Sequence, residues 1–172
     1  VALAGGRPDV ARITAHCAAN GAADPLFCST GRRTALPEGA APPIAVPDVA
    51  DPRIRAAVAL APVGAVFDEA SLAAVRIPVA VHVPALDRWL VPRFHGERIA
   101  KTIPGAVLET VPNAWHFAFL DTPSMPIPSP DGDLRADPPG FDRGAYIDGL
   151  GPRIAEWLDA ALARTAAAGT PR

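Results

Sequence analysis

Three short runs of small and β-branched apolar residues, at 54–60, 79–83 and 107–111, alternate with stretches of helical spacing, and this alternation constrains the fold more than any other feature of the chain. The run at 54–60, bounded by prolines, reads as a strand buried on both faces, the habit of parallel sheets, and 79–83 and 107–111 read as the next two strands. The intervening segments 67–75 and 92–103 read as crossover helices, with Pro92 suited to a first turn where its missing N–H would be unpaired anyway. Right-handed crossovers then make the strands parallel and gather their carboxyl ends on one edge, where Pro62, Asp87 and His116 should meet. The expected class is therefore α/β, about three parallel strands with flanking helices. Residues 8–19 have helical spacing closed by Asn20-Gly21. Residues 146–168 form a closing amphipathic helix that turns Ile147, Leu150, Ile154, Trp157, Leu158 and Leu162 toward the sheet. Residues 21–50, rich in Pro and Gly, are expected to be an irregular loop or cap insert, and 121–140 a second such loop. No internal repeat is visible.

Composition removes several classes of function. With 172 residues, 49% hydrophobic content and a net charge of −2, the chain is long enough for one buried core. Its basic charge is almost all Arg, with Lys101 the only lysine, and is scattered, so no stripe tracks a phosphate backbone and no nucleic-acid partner is expected. No apolar run approaches the ~20 residues of a membrane span, and the first residues lack the order of a signal peptide.

The second strand leads into Pro84-Ala85-Leu86-Asp87, and 29 residues beyond Asp87 the third leads into Pro112-Asn113-Ala114-Trp115-His116. A hydroxyl or thiol nucleophile is weak near neutral pH and needs an imidazole to take its proton, the role read for His116. A carboxylate on the other ring nitrogen fixes the tautomer and stabilises the imidazolium, the role read for Asp87. The βα unit between them is what would return the chain to the same edge. One chain order in which such triads occur is nucleophile, acid, His, and it would put the nucleophile upstream of Asp87 on a Gly-x-Ser-x-Gly or Gly-x-Cys-x-Gly turn. None exists: Ser29, Ser71, Ser124, Ser129, Cys17 and Cys28 all lack the flanking glycines. Asp68 and Asp121 remain alternative acids, Asp68 also reading as a helix cap. Trp115 and Phe117 either line a substrate pocket or belong to the core. His16, His82 and His95 carry no His-x-x-x-His spacing and no Cys-x-x-Cys is present, so no metal is expected; His82, on a core strand, reads as hydrogen-bonded packing. Ten residues separate Cys17 from Cys28, which permits a disulfide and equally two buried thiols.

The run from Asp51-Pro52-Arg53-Ile54 to Ala61-Pro62, followed by Ile77-Pro78-Val79, Asp87 and His116-Phe117-Ala118-Phe119-Leu120, resembles the C-terminal part of α/β-hydrolases of the predicted dienelactone hydrolase or platelet-activating-factor acetylhydrolase-like kind, over roughly residues 1–165. The resemblance implies a hydrolase of small carboxylic esters or lactones, with no cofactor, in which residues 1–172 form the C-terminal portion of one domain, Val1-Ala2-Leu3 follow closely on the nucleophile turn, and the half bearing that turn is missing. Pro84-Ala85 stands where such proteins usually carry a Gly-rich turn, and Trp115 where a small residue is common. The resemblance also favours a Cys17–Cys28 bridge, and with it a periplasmic or secreted location. It further implies an open sheet edge at 54–60 that seeks the missing half or a second copy. A non-catalytic remnant or interaction fragment is the alternative. A flavodoxin-like binding domain is weaker, because no Gly-rich phosphate loop opens a helix.

Overall fold

The computed structural model describes residues 1–33 and 47–168. Its centre is a parallel sheet of β1 (Ala57–Leu60), β2 (Val79–Pro84) and β3 (Val107–Val111) in that spatial order. The register pairs Ala57 with Val79 on one side of β2 and Ala80 with Val107 on the other. Strand alternation sends Val79, Val81 and Val83 to one face, where they pack with Leu72, Val75, Ile99 and Ile103 from α3 (Glu69–Ala73), α4 (Gly96–Thr102) and the residues that follow them. Each such burial contributes about 1.5–3 kcal/mol, which makes this cluster the main source of cohesion. The opposite face carries Ala80 and His82, with α5 (Arg143–Ala168) and a single 3-10 turn, His116–Phe119, packed nearby. All of β2 is buried, as its central place requires.

Strand β1 departs from the burial on both faces expected of it. β1 begins at Ala57 rather than at 54, is only half-buried, and leaves Leu60 exposed. Val107, Leu108, Glu109 and Thr110 of β3 are exposed too. Both strands are edges of a narrow sheet, and among the described residues no strand pairs with the outer side of either. Because Ala57 N and Ala61 N donate toward β2, the N–H and C=O groups of Val58 and Leu60 are directed to the open edge.

Local chemistry explains the helices. α1 (Val10–Asn20) starts two residues later than expected, because Asp9 caps it by accepting from Ala11 N, while Pro8 bridges to Phe67. The expectation of an irregular 21–50 is overturned at its start: Pro25–Arg33 is a second helix, α2, with Cys28 N donating to Asp24 O across its first turn. Residues 34–46 lie outside the described residues. α3 is capped by Asp68, whose Oδ1 accepts from Ser71 N at 2.7 Å. The single helix expected at 92–103 is broken into a 3-10 turn, Pro92–Phe94, and α4, because His95 between them leaves helical geometry to reach a partner described below. Gly96 lets α4 lie against β2, since a Cβ there would run into Val83. The loop 121–140 includes a two-residue hairpin, β4 (Pro128–Ser129) with β5 (Gly132–Asp133), and Arg143 at the start of α5 fastens to it through Asp137 and Ala136 O. Leu150 of α5 is buried and Ile147, Ile154, Trp157 and Leu158 half-buried, but Leu162 is exposed and Ala161 takes the inward place. No described helix is long and apolar enough to cross a membrane.

Candidate functional site

The carboxyl ends of β2 and β3 are held together by backbone bonds from Ala85 N to Val111 O and from Leu86 N to Ala114 O. These bring Asp87 and His116 within reach, although 29 residues separate them. His116 Nδ1 and Asp87 Oδ2 lie 2.8 Å apart, the separation of a charge-assisted hydrogen bond. The other carboxylate oxygen, Oδ1, accepts from Trp89 N and Leu90 N, each at 2.8 Å. An ionised carboxylate can only accept, so the His116 proton sits on Nδ1 and the Nε2 lone pair is left for chemistry. Burial is graded to suit: the Asp87 side chain is 1% exposed and that of His116 20%. Asn113, in left-handed backbone conformation, makes the turn that delivers His116, and its side chain donates to Pro139 O.

Of the alternative acids, Asp68 is committed to capping α3, and Asp121 is exposed while the His116 bond goes to Asp87. Phe117 packs edge-on against His116 at 4.9 Å. Trp115 instead carries the Arg88 guanidinium over its ring at 4.5 Å, and Arg88 pairs with Asp131 at 2.8 Å, tying the loop that holds β4 and β5 to the site. The aromatic that the sequence reading missed is Trp89, whose ring lies 6.1 Å from His116 and 6.0 Å from Phe117; its position two residues past the acid was the available signal. Among the described residues, no hydroxyl or thiol hydrogen-bonds to His116 Nε2. Ser29, Ser71 and Ser129 hydrogen-bond to backbone carbonyls. The two cysteines are bridged to each other, with Cα atoms 5.3 Å apart.

The fold also gathers residues that spacing could not connect. Asp24 Oδ2 lies 2.8 Å from both His16 Nε2 and His95 Nε2. Asp24 is fully buried, and Oδ1 has no hydrogen-bond partner. Burial alone would raise this carboxyl, but hydrogen bonds from His95 and His16 outweigh it and hold the pKa below the ordinary value. The three residues are also the donor types of a metal site. The tautomers decide against that reading. His95 Nδ1 accepts from Gly64 N at 3.1 Å and Ala65 N at 3.5 Å, so its proton is on Nε2, where a metal would need a lone pair. His16 Nδ1 likewise faces the Asn20 amide nitrogen at 3.4 Å. The set is built as two N–H donors on one carboxylate. Gly64 is essential to it, because a Cβ there would collide with the His95 backbone. Asp24 lies in the segment expected to be irregular, and neither its place ahead of a helix nor its two histidine partners were anticipated.

His82 is buried against Phe119, with Glu109 Oε1 at 3.5 Å but no hydrogen bond at Nδ1, contrary to the hydrogen-bonded packing expected of it. Burial pushes its pKa down, partly offset by Glu109.

Comparison of the chain with protein-family models, with curated proteins and with solved structures finds no match.

Proposed function

We propose that this chain is the acid-and-base part of a hydrolase of small carboxylic esters or lactones, of the α/β-hydrolase kind that its sequence resembles. The observation that supports it most is the 2.8 Å bond from a half-buried His116 to a buried Asp87, with Nε2 left unengaged. In the reaction, Nε2 takes the proton of a hydroxyl or thiol as that group attacks the carbonyl carbon. Asp87 stabilises the imidazolium, which then returns the proton to the leaving alkoxide; water repeats the cycle on the acyl intermediate. Trp89 and Phe117 form an apolar flank to the imidazole, suited to an uncharged substrate. No described hydroxyl or thiol reaches Nε2, and in this reading the nucleophile and the oxyanion donors belong to the upstream half that the resemblance implies. That same observation favours the second reading, a non-catalytic fragment.

The two readings part in one experiment. The 172-residue chain should hydrolyse p-nitrophenyl esters no faster than free imidazole. A longer protein carrying the upstream coding sequence should be active, and His116→Ala in it should lower kcat by about 10⁴ or more. An inactive longer protein, or one indifferent to His116→Ala, would leave the fragment reading standing.

A further inference from the structure

Away from the Asp87–His116 pair, a cavity of about 320 Å³ opens between α1 and the segment that runs from the Pro92–Phe94 turn into α4. Helical spacing brings Arg12, His16 and Asn20 to one side of α1, and all three line it. Arg98 of α4 faces them, and Ala65 and Phe94 supply apolar wall. No acidic side chain is among the described lining residues.

The two arginines are in different situations. Arg98 is anchored, its Nη1 donating to Gly64 O at 2.9 Å and its Nη2 to Phe67 O at 3.3 Å, with exposed Glu69 3.9 Å away. Arg12 is half-buried, yet its guanidinium makes no hydrogen bond or ion pair with any described residue, and its Nε is shut off from solvent. Burial, and next the nearness of Arg12, lower the pKa of Arg98, with Glu69 and Asp68 only offsetting this. Among the described residues the fold therefore holds two cations on one cavity with no acidic side chain lining it, although a buried unpaired donor is costly. Asp24 does not serve, since it is fully buried and its hydrogen bonds go to His16 and His95.

We propose that this cavity is a binding site for a small organic carboxylate, whose head is held by Arg12 and Arg98 with the Asn20 amide, and whose apolar body lies against Phe94 and Ala65. Planar guanidinium forks match a carboxylate geometrically, and the apolar wall distinguishes an organic anion from a bare inorganic one. The site is independent of the proposed hydrolase chemistry.

Benzoate, benzamide and inorganic phosphate, titrated into the 172-residue chain at constant ionic strength, test the proposal. Benzoate should shift the Arg12 Nε–H and Asn20 side-chain resonances saturably and raise the melting temperature with concentration, whereas benzamide, its uncharged counterpart, should do neither. Arg12→Met removes a cation that has no partner among the described residues, so it should fold with unchanged circular dichroism and melt no lower than the parent. It should bind benzoate at least tenfold more weakly, with Arg12→Lys between. The proposal fails if nothing saturates up to about 10 mM, if benzamide matches benzoate, if Arg12→Met binds as the parent does, or if phosphate binds as tightly as benzoate.

Discussion

Asp87 divides its work between its two oxygens, Oδ1 fixing the turn through Trp89 N and Leu90 N while Oδ2 fixes His116. Asp87→Asn keeps an acceptor for the turn but gives His116 Nδ1 an amide N–H to face. The expected outcome is loss of the low-field Nδ1–H proton resonance with little change in melting and, in a longer active protein, a drop in kcat of about 10⁴. Asp24 has a structural burden instead. Its folded pKa lies below the unfolded value, so its contribution to stability is complete above about pH 4 and is lost as pH falls through the folded pKa. Asp24→Ala should cost about 3 kcal/mol or more by urea denaturation at pH 7, since it strands two histidine N–H groups. The parent's advantage over this variant should shrink as the pH is lowered below 4. His82 acts at milder acidity. With its folded pKa lowered mainly by burial, the stability tied to its unprotonated ring is complete above about pH 6.5 and declines as pH falls through the folded pKa. His82→Leu should flatten the stability profile in that window.

At the level of elements, the disulfide, the Asp24 network and α4 form one assembly. Cys17 on α1 and Cys28 on α2 clamp the turn that holds Asp24, while His95 closes the network from the start of α4. The break between the Pro92–Phe94 turn and α4 follows from this: a helical His95 would surrender its bonds to Asp24, Gly64 N and Ala65 N. Cys17→Ser with Cys28→Ser should therefore cost about 3 kcal/mol in urea, the usual worth of closing a short loop. It should also speed hydrogen exchange at Gly64 and Ala65, which lie far along the chain from either cysteine. Equal exchange in the two forms would mean that the network holds without the clamp. Two alkylated thiols in unreduced protein would mean that the clamp is absent.

For the whole molecule, the sheet is narrow, and among the described residues no strand covers its edges. Val58 and Leu60 direct backbone donors and acceptors outward, and Leu3, Leu60 and Val63 are exposed. Unpaired strand edges beside apolar surface recruit other chains. The purified 172-residue chain should associate, read by light scattering as a mass above 17.8 kDa that rises with concentration. A monodisperse monomer at all concentrations would show that the edge is covered by the chain's own residues.

Whatever depends on local periodicity and covalent chemistry could be read from the residues in order. The β2 and β3 runs, the Asp68 cap, the closing helix and the placing of Asp87 and His116 at successive strand ends were all legible, because side-chain alternation, capping chemistry and crossover handedness act over short spans. The remainder waited on packing. How deeply β1 and β3 are buried depends on what lies beside them, and no pattern within a strand encodes its neighbour. α2 was masked by the proline that begins it, and the kink at His95 by a good helical pattern. Asp24 meets His95 across 71 residues, and Arg12 and Arg98 line one cavity from two helices. Such encounters are fixed only when the chain packs, since the free energy that aligns them comes from burial shared by the whole core rather than from the residues that meet.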